Sequence, residues 1–257
     1  MPFVFLLCTC GPALNKLAAQ PNFSSTLPIL VVTTNGFDIP DEPKIAGRLR
    51  IIDNGPGEMN ELNDAPNAYD GFMGIELRGS TSQTLFPKKG YALETWDENG
   101  DDFEVSLLGF PQEEDWVLHG PYSDKSLIRN ALAYELAGKI MPYAPRIRMV
   151  ELVINGDYKG VYLFTERIKR DNDRVDISRL NEDENSGDDL TGGYILKLDK
   201  STGDENEVDP ILWESDYRAE TEEEQSIFFY YHYPPPDRTT PPSASAVRST
   251  YVMSGSR

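Results

Sequence analysis

Cysteine and histidine are nearly missing from this chain. Its 257 residues include only Cys8 and Cys10, both at the extreme N-terminus, and only His119 and His232. No CxxC pair occurs, so the sequence offers no zinc ligand set. Positive charge is scarce too: Lys plus Arg total 24 against 43 Asp plus Glu, a net charge of −19. Such a balance argues against sequence-independent binding to DNA or RNA, which rests on neutralising phosphates. It also disfavours an anionic membrane surface. No apolar run reaches the length of about 18 residues that a membrane-spanning helix needs. The phosphate-binding signatures GxxxxGK[ST] and GxGxxG are absent, as is the nucleophile elbow GxSxG. What is present is an ordinary globular composition, 39% hydrophobic and 26% charged. That excludes wholesale disorder and supports one large domain or two small ones.

Three regions follow from composition. Residues 1–20 begin with the apolar run Met1-Pro-Phe-Val-Phe-Leu-Leu-Cys8 and are expected to be a signal or lipoprotein segment. No Lys or Arg precedes the run, so a buried N-terminal segment stays open as the alternative. Residues 21–232 form the expected domain. Residues 233–257 hold one acid (Asp237), five prolines and five serines. They are expected to be a disordered or frameshifted tail, with the reading frame broken or the gene model cut short near residue 235.

Within the domain, Ile29–Thr33, Arg48–Ile52 and Met73–Leu77 read as strands, with further candidates at Tyr91–Thr95 and Phe103–Leu108. Val150–Ile154 and Val161–Phe164 flank Asn155-Gly156, a turn that tolerates positive φ, and so read as a hairpin. Gly193–Leu198 reads as another strand. One main helix is expected over residues 123–141. Ser123 or Asp124 would cap it, and Ile128, Leu132, Leu136 and Ile140 repeat every four residues along it. Pro142 and Pro145 end it. Strands, an inserted helix, then strands again give an α+β expectation with a mostly antiparallel sheet.

Four constellations could carry chemistry. From Leu77 to Leu93 the chain holds Arg78, Lys88 and Lys89 and no acid. Arg78-Gly79-Ser80-Thr81-Ser82 leaves a strand at a glycine and offers hydroxyls and backbone N–H groups that can cradle phosphate oxygens. Alternation sends Lys88 and Lys89 to opposite faces. The same segment also fits a solvated hairpin with snorkelling lysines. Arg129-Asn130 lies at the edge of the helix stripe, and Glu166-Arg167 ends a hairpin strand. The acidic run Asp171–Asp176 lacks an oxygen ligand at loop position 5 (Val175) and Gly at position 6 (Asp176), so it is not an EF-hand. No metal site is expected, and a Ser-His-Asp triad is not supported.

Taken in order, several short motifs point to one family. Arg78-Gly-Ser80, Pro87-Lys-Lys-Gly-Tyr91, Asp115-Trp-Val-Leu118 and Asp124-Lys-Ser-Leu-Ile-Arg-Asn130 come first. Tyr143-Ala-Pro145, Asn155-Gly-Asp-Tyr-Lys-Gly-Val-Tyr162, Glu166-Arg167 and Gly192-Gly-Tyr-Ile-Leu196 follow. Residues 28–232 thereby resemble the CotH kinase family, the spore coat protein H-like proteins, above all their secreted bacterial members. The resemblance implies the N-terminal part of an atypical protein-kinase-like fold, use of ATP and magnesium, and phosphoryl transfer to Ser or Thr of a Ser/Thr-rich secreted or coat protein. It places Arg78, Gly79, Ser80 and Ser82 at the phosphates and Lys88 or Lys89 as the phosphate-orienting lysine. Arg129 and Glu166 would line or brace the nucleotide cleft. The family's catalytic Asp and Trp-Asp-type metal segment have no counterpart here, since Trp213 precedes Glu214. The N-terminal segment and the resemblance imply a secreted or cell-surface location, and the missing acids imply a chain inactive as it stands. The competing expectations are a noncatalytic coat or surface module, and an acidic secreted protein binding calcium or carbohydrate.

Overall fold

Strand Ile29–Thr33 is apolar on both faces, and both faces are covered. It is the second of fourteen elements in a computed structural model that describes residues 23–181, 193–198, 212–215 and 228–234. In chain order they are β1 (Ser24–Ser25), β2 (Ile29–Thr33), β3 (Ile45–Ile52), β4 (Asn60–Glu61), β5 (Tyr69–Arg78), α1 (Thr81–Leu85), β6 (Gly90–Trp96), β7 (Asp115–His119), α2 (Arg129–Ala137), β8 (Ile147–Ile154), β9 (Asp157–Glu166), β10 (Ile195–Lys197), β11 (Leu212–Glu214) and β12 (Phe228–Tyr233). Seven strands close into a barrel in the order β2-β3-β5-β6-β7-β9-β8. Six of its seven pairings are antiparallel; β2 and β8 run parallel and shut the ring. Closure satisfies both edges of each of these seven strands, which an open sheet cannot do.

The barrel interior is the core. Leu30, Val32, Leu49, Ile51, Met73, Ile75, Leu93, Trp116, Leu118, Val150, Leu152, Tyr162 and Phe164 are buried there. Phe164 stacks on Trp116 at 5.2 Å and on Phe110 at 5.8 Å between ring centroids. A second, smaller cluster lies outside the barrel, where Ile29, Val31, Ile52 and Val153 meet Phe23, Leu62 and Tyr158. The β8–β9 hairpin turns at Asn155 (φ 50°) and Gly156 (φ 77°), as Asn-Gly implies. β10, β12 and β11 make a separate three-stranded antiparallel sheet. Among the described residues no helix is long and apolar enough to cross a membrane.

The expected α+β fold, and with it the likeness to the N-terminal part of a protein-kinase-like fold, is overturned. The described residues are mostly β, with a closed barrel and two short helices. The main helix shrinks from 123–141 to Arg129–Ala137 because Leu127 adopts φ 61°, which a helix cannot continue through. Asp124 accepts a hydrogen bond from the Arg129 N–H at 2.8 Å, but across a loop rather than as the residue that caps the helix. Its apolar stripe is not buried: Ile128, Leu132, Leu136 and Ile140 are 49%, 55%, 53% and 84% exposed. Phe103–Leu108 makes only an isolated bridge from Val105 to Glu113, not a strand. The expected segment 1–20, the acidic run after Asn181 and the tail beyond Pro234 lie outside the described residues.

The stacked aromatics at the barrel centre set a stability test. Phe164→Ala is expected to cost about 3–5 kcal/mol, from lost transfer energy plus the cavity left behind. Urea denaturation measures it, and a loss near zero would contradict a tightly filled interior.

Candidate functional site

The outer face of β5, β6, β7 and β9 carries the side chains that the barrel does not enclose. Register places Glu76 opposite Ala92, Ala92 opposite Val117, and Val117 opposite Thr165, forming one row across four strands. Two residues further along, on the same face, Arg78 pairs with Gly90. Continuing the β6–β7 register brings Gly90 beside His119. This face is the floor of a cavity of about 460 Å³. Asn130 and Tyr134 of α2 contribute to its wall, as do Ile195, Leu196 and Lys197 of β10 and His232 of β12. The volume falls inside the usual range for small-molecule sites.

Of the residues the sequence singled out, Arg78, Gly79 and Glu166 line this cavity together. Arg78 is exposed and has no ion-pair or hydrogen-bond partner among the described residues. Gly79 takes φ 104°, turning the chain out of β5 into α1. The expected hydroxyl cradle is mostly that one-turn helix, and neither Ser80 nor Ser82 lines the cavity. Lys88 and Lys89 do diverge, yet neither lines it. Lys88 Nζ donates to the Val161 carbonyl at 2.6 Å and sits 4.4 Å from the Tyr162 ring centroid. Burial pushes its pKa down, partly offset by Glu151. Lys89 Nζ donates to the carbonyls of Gln83 and, at 2.8 Å, Phe86. Arg129 points to solvent and pairs with Asp124 at 3.5 Å, while its neighbour Asn130 lines the cavity.

Glu166 is a brace. Its buried carboxylate accepts from the Arg146 backbone N–H at 2.9 Å, the Arg146 guanidinium at 2.5 Å and the Tyr143 hydroxyl at 3.3 Å. It thereby ties the segment before β8 to the end of β9. Beside it, Lys169 bridges Glu113, Glu114 and Asp115 at 2.6, 2.5 and 3.1 Å. Arg167 pairs with Asp115 at 3.1 Å, and Arg174 with Glu113 at 3.5 Å. Burial raises the Asp115 carboxyl, but Arg167 and Lys169 outweigh it and hold the pKa below its usual range.

Sequence reasoning missed His119 as a cavity residue, having weighed it only for zinc binding and for a catalytic triad. Its Nε2 lies 3.3 Å from Asn130 Nδ2. Burial, Arg78 and Lys88 lower its pKa, against the opposing pull of Asp124. Glu76 was missed too. Burial raises its pKa despite Lys44, whose Nζ is 3.8 Å away. The signal for both was alternation, since each shares the outward face with Ala92 or Arg78.

With this geometry in place, the comparison with known families is decisive. The model of the CotH kinase protein family matches residues 75–231, more than half of the chain. The chain belongs to the CotH kinase family. No curated protein matches it. The match begins within β5 and ends within β12, so the CotH region contains every residue of the cavity wall except Asp41, Glu42 and His232.

Family membership points to ATP and a metal ion, and the cavity can be tested for both. A nucleotide fits: Ala92, Val117, Ile195 and Leu196 give an apolar surface, and Arg78 gives an uncompensated cation at one end. Magnesium does not find a ligand set among the described residues. Glu113, Glu114 and Asp115 converge, but Lys169, Arg167 and Arg174 already neutralise them. In the cavity, Glu166 is taken by Arg146, Glu76 faces Lys44, and Asp41 accepts from Gln83. Of the four carboxylates in that wall, only Glu42 lacks a partner among the described residues.

The buried acids carry a pH signature. Burial pushes Glu113 up to about 7, above the value of about 4.3 expected in the unfolded chain. The stability linked to its proton is fully present below about pH 4.3 and is lost as pH rises through about 7. Glu113→Gln is therefore expected to flatten the fall in melting temperature between about pH 5 and pH 8. Thermal unfolding across that range checks it; an unchanged slope would mean Glu113 is ionised throughout.

Proposed function

We propose that the outer-face cavity binds a nucleoside triphosphate, and that the chain is the nucleotide-holding part of a CotH-type kinase acting on a Ser/Thr-rich protein. The observation that carries this reading is Arg78. A chain of net charge −19 keeps an uncompensated guanidinium at the rim of its cavity. Though exposed, such a cation acts on a phosphate at contact distance, where the repulsion from the rest of the surface is diffuse and salt-screened. Arg78 and the Gly79 backbone would meet the phosphates. The row Ala92, Val117 and Thr165 would lie beneath the nucleoside, and Glu166 would keep the floor rigid by holding Arg146.

Phosphoryl transfer also requires acids that hold metal and a base that orients the nucleophile. With three of the four cavity carboxylates already committed, binding without turnover is the expected behaviour. A second reading, a noncatalytic surface or coat module, is favoured by one separate feature, the exposed apolar stripe of α2.

Titration calorimetry with ATP tests the proposal. Arg78→Ala is expected to weaken binding about 10- to 100-fold, the range for a lost charged hydrogen bond. Unchanged affinity would overturn the assignment. A radiolabel assay with ATP, magnesium and a Ser/Thr-rich protein is expected to show no transfer by this chain, and clear turnover would refute the inactive reading.

A further inference from the structure

We propose that His119 is the second phosphate contact of the cavity, holding across Gly90 the same anion that Arg78 holds, so that polyphosphate binding takes up a proton. This rests on the reading that the cavity binds phosphate. Three neighbouring strands present Arg78, Gly90 and His119 side by side on the outer face. At about 4.8 Å between strands, the two outer backbones stand about 10 Å apart. Gly90 leaves the space between them without a side chain. A Cβ placed there would meet only the Arg78 carbonyl oxygen at 3.3 Å and the Leu118 carbonyl oxygen at 3.5 Å. Arg78 and His119, on either side of this gap, both line the cavity, although Gly90 itself is not part of its lining. The result is a slot with a fixed cation on one side, an ionisable ring on the other and a bare backbone floor.

The charges around the ring explain the coupling. Arg78 from β5 and Lys88 from the segment before β6 both disfavour a third positive charge, as does burial. Asp124, from the loop leading into α2, is the one charged group favouring it. From α2 itself the ring meets the neutral Asn130 amide. With the cavity empty, the ring therefore stays neutral near pH 7. An anion seated over Gly90 reverses the balance, because it compensates Arg78 and adds negative charge beside the imidazole. The ring then gains a proton and a charged N–H donor. By linkage, phosphate affinity rises as pH falls.

Two histidines in the whole chain make the test direct. The ring Cε1–H signals are followed by proton NMR against pH, with and without inorganic tripolyphosphate, and the variant His232→Asn assigns them. Tripolyphosphate is expected to raise the His119 midpoint by about one pH unit, a tenfold linkage, and to move His232 by less. Calorimetry is expected to show that His119→Gln weakens tripolyphosphate binding a few-fold at pH 6 and little at pH 8, relative to the parent chain at the same pH. Melting curves establish that the variant is folded. If tripolyphosphate binds and Arg78→Ala weakens it, but the His119 midpoint does not move, the His119 assignment is overturned and the phosphate reading stands. If tripolyphosphate does not bind the parent chain at all, both are overturned.

Discussion

The parallel pairing of β2 with β8 is the constraint on which the remaining structure depends. It joins Ile29–Val32 to Glu151–Ile154 and converts six antiparallel pairings into a closed ring. Once the ring is shut, each strand has an inside and an outside, and alternation leaves no freedom in which residue goes where. Trp116, Leu118, Tyr162 and Phe164 fill the interior. The residues between them in sequence, Val117, His119 and Thr165, must therefore lie on the outer face, where they meet Glu76, Arg78 and Ala92 from the neighbouring strands. The cavity floor is thus the reverse side of the core.

Charge is distributed around that floor with a clear division of labour. At one end of the four strands, Lys169, Arg167 and Arg174 absorb Glu113, Glu114 and Asp115. Arg174 is buried, donates to the carbonyls of Arg167 and Asp115, and lies against the Trp116 ring. A buried cluster of this kind adds little net stability, because desolvation offsets attraction, but removing any one member leaves an uncompensated charge. It fixes the chain beyond β9 against the start of β7. At the other end, Arg78 has no carboxylate partner among the described residues. One end of the floor is electrostatically closed and the other is open to a ligand.

Much of the barrel was legible in the sequence, and the failures have specific causes. β2, β3, β5, β6 and the β8–β9 hairpin were read from apolar runs, alternation and Asn155-Gly156. β7 was missed because Asp115-Trp-Val-Leu-His119 is too short to show a period on its own. The helix was overextended because a four-residue apolar repeat says nothing about the positive φ of Leu127 or about whether anything covers the stripe. In the candidate site, Arg78, Gly79 and Glu166, singled out through the order of their motifs, line one cavity. Lys88 and Lys89 immediately precede Gly90, the first residue of β6, yet their ammonium groups end on backbone carbonyls. No local pattern distinguishes a lysine that reaches a ligand from one that satisfies its own turn.

Local chemistry in the sequence determined the strands, the tight turn, the scarcity of cations and the membership of a CotH family, because each of these is set by residues adjacent in the chain. The tertiary structure alone decided that the sheet closes, that the kinase-like α+β expectation is wrong, and that Arg78 and His119 face each other across Gly90. Those outcomes depend on pairing between strands up to about 120 residues apart. A register over such distances is selected by the burial of the whole interior at once, and no window of the sequence contains that information.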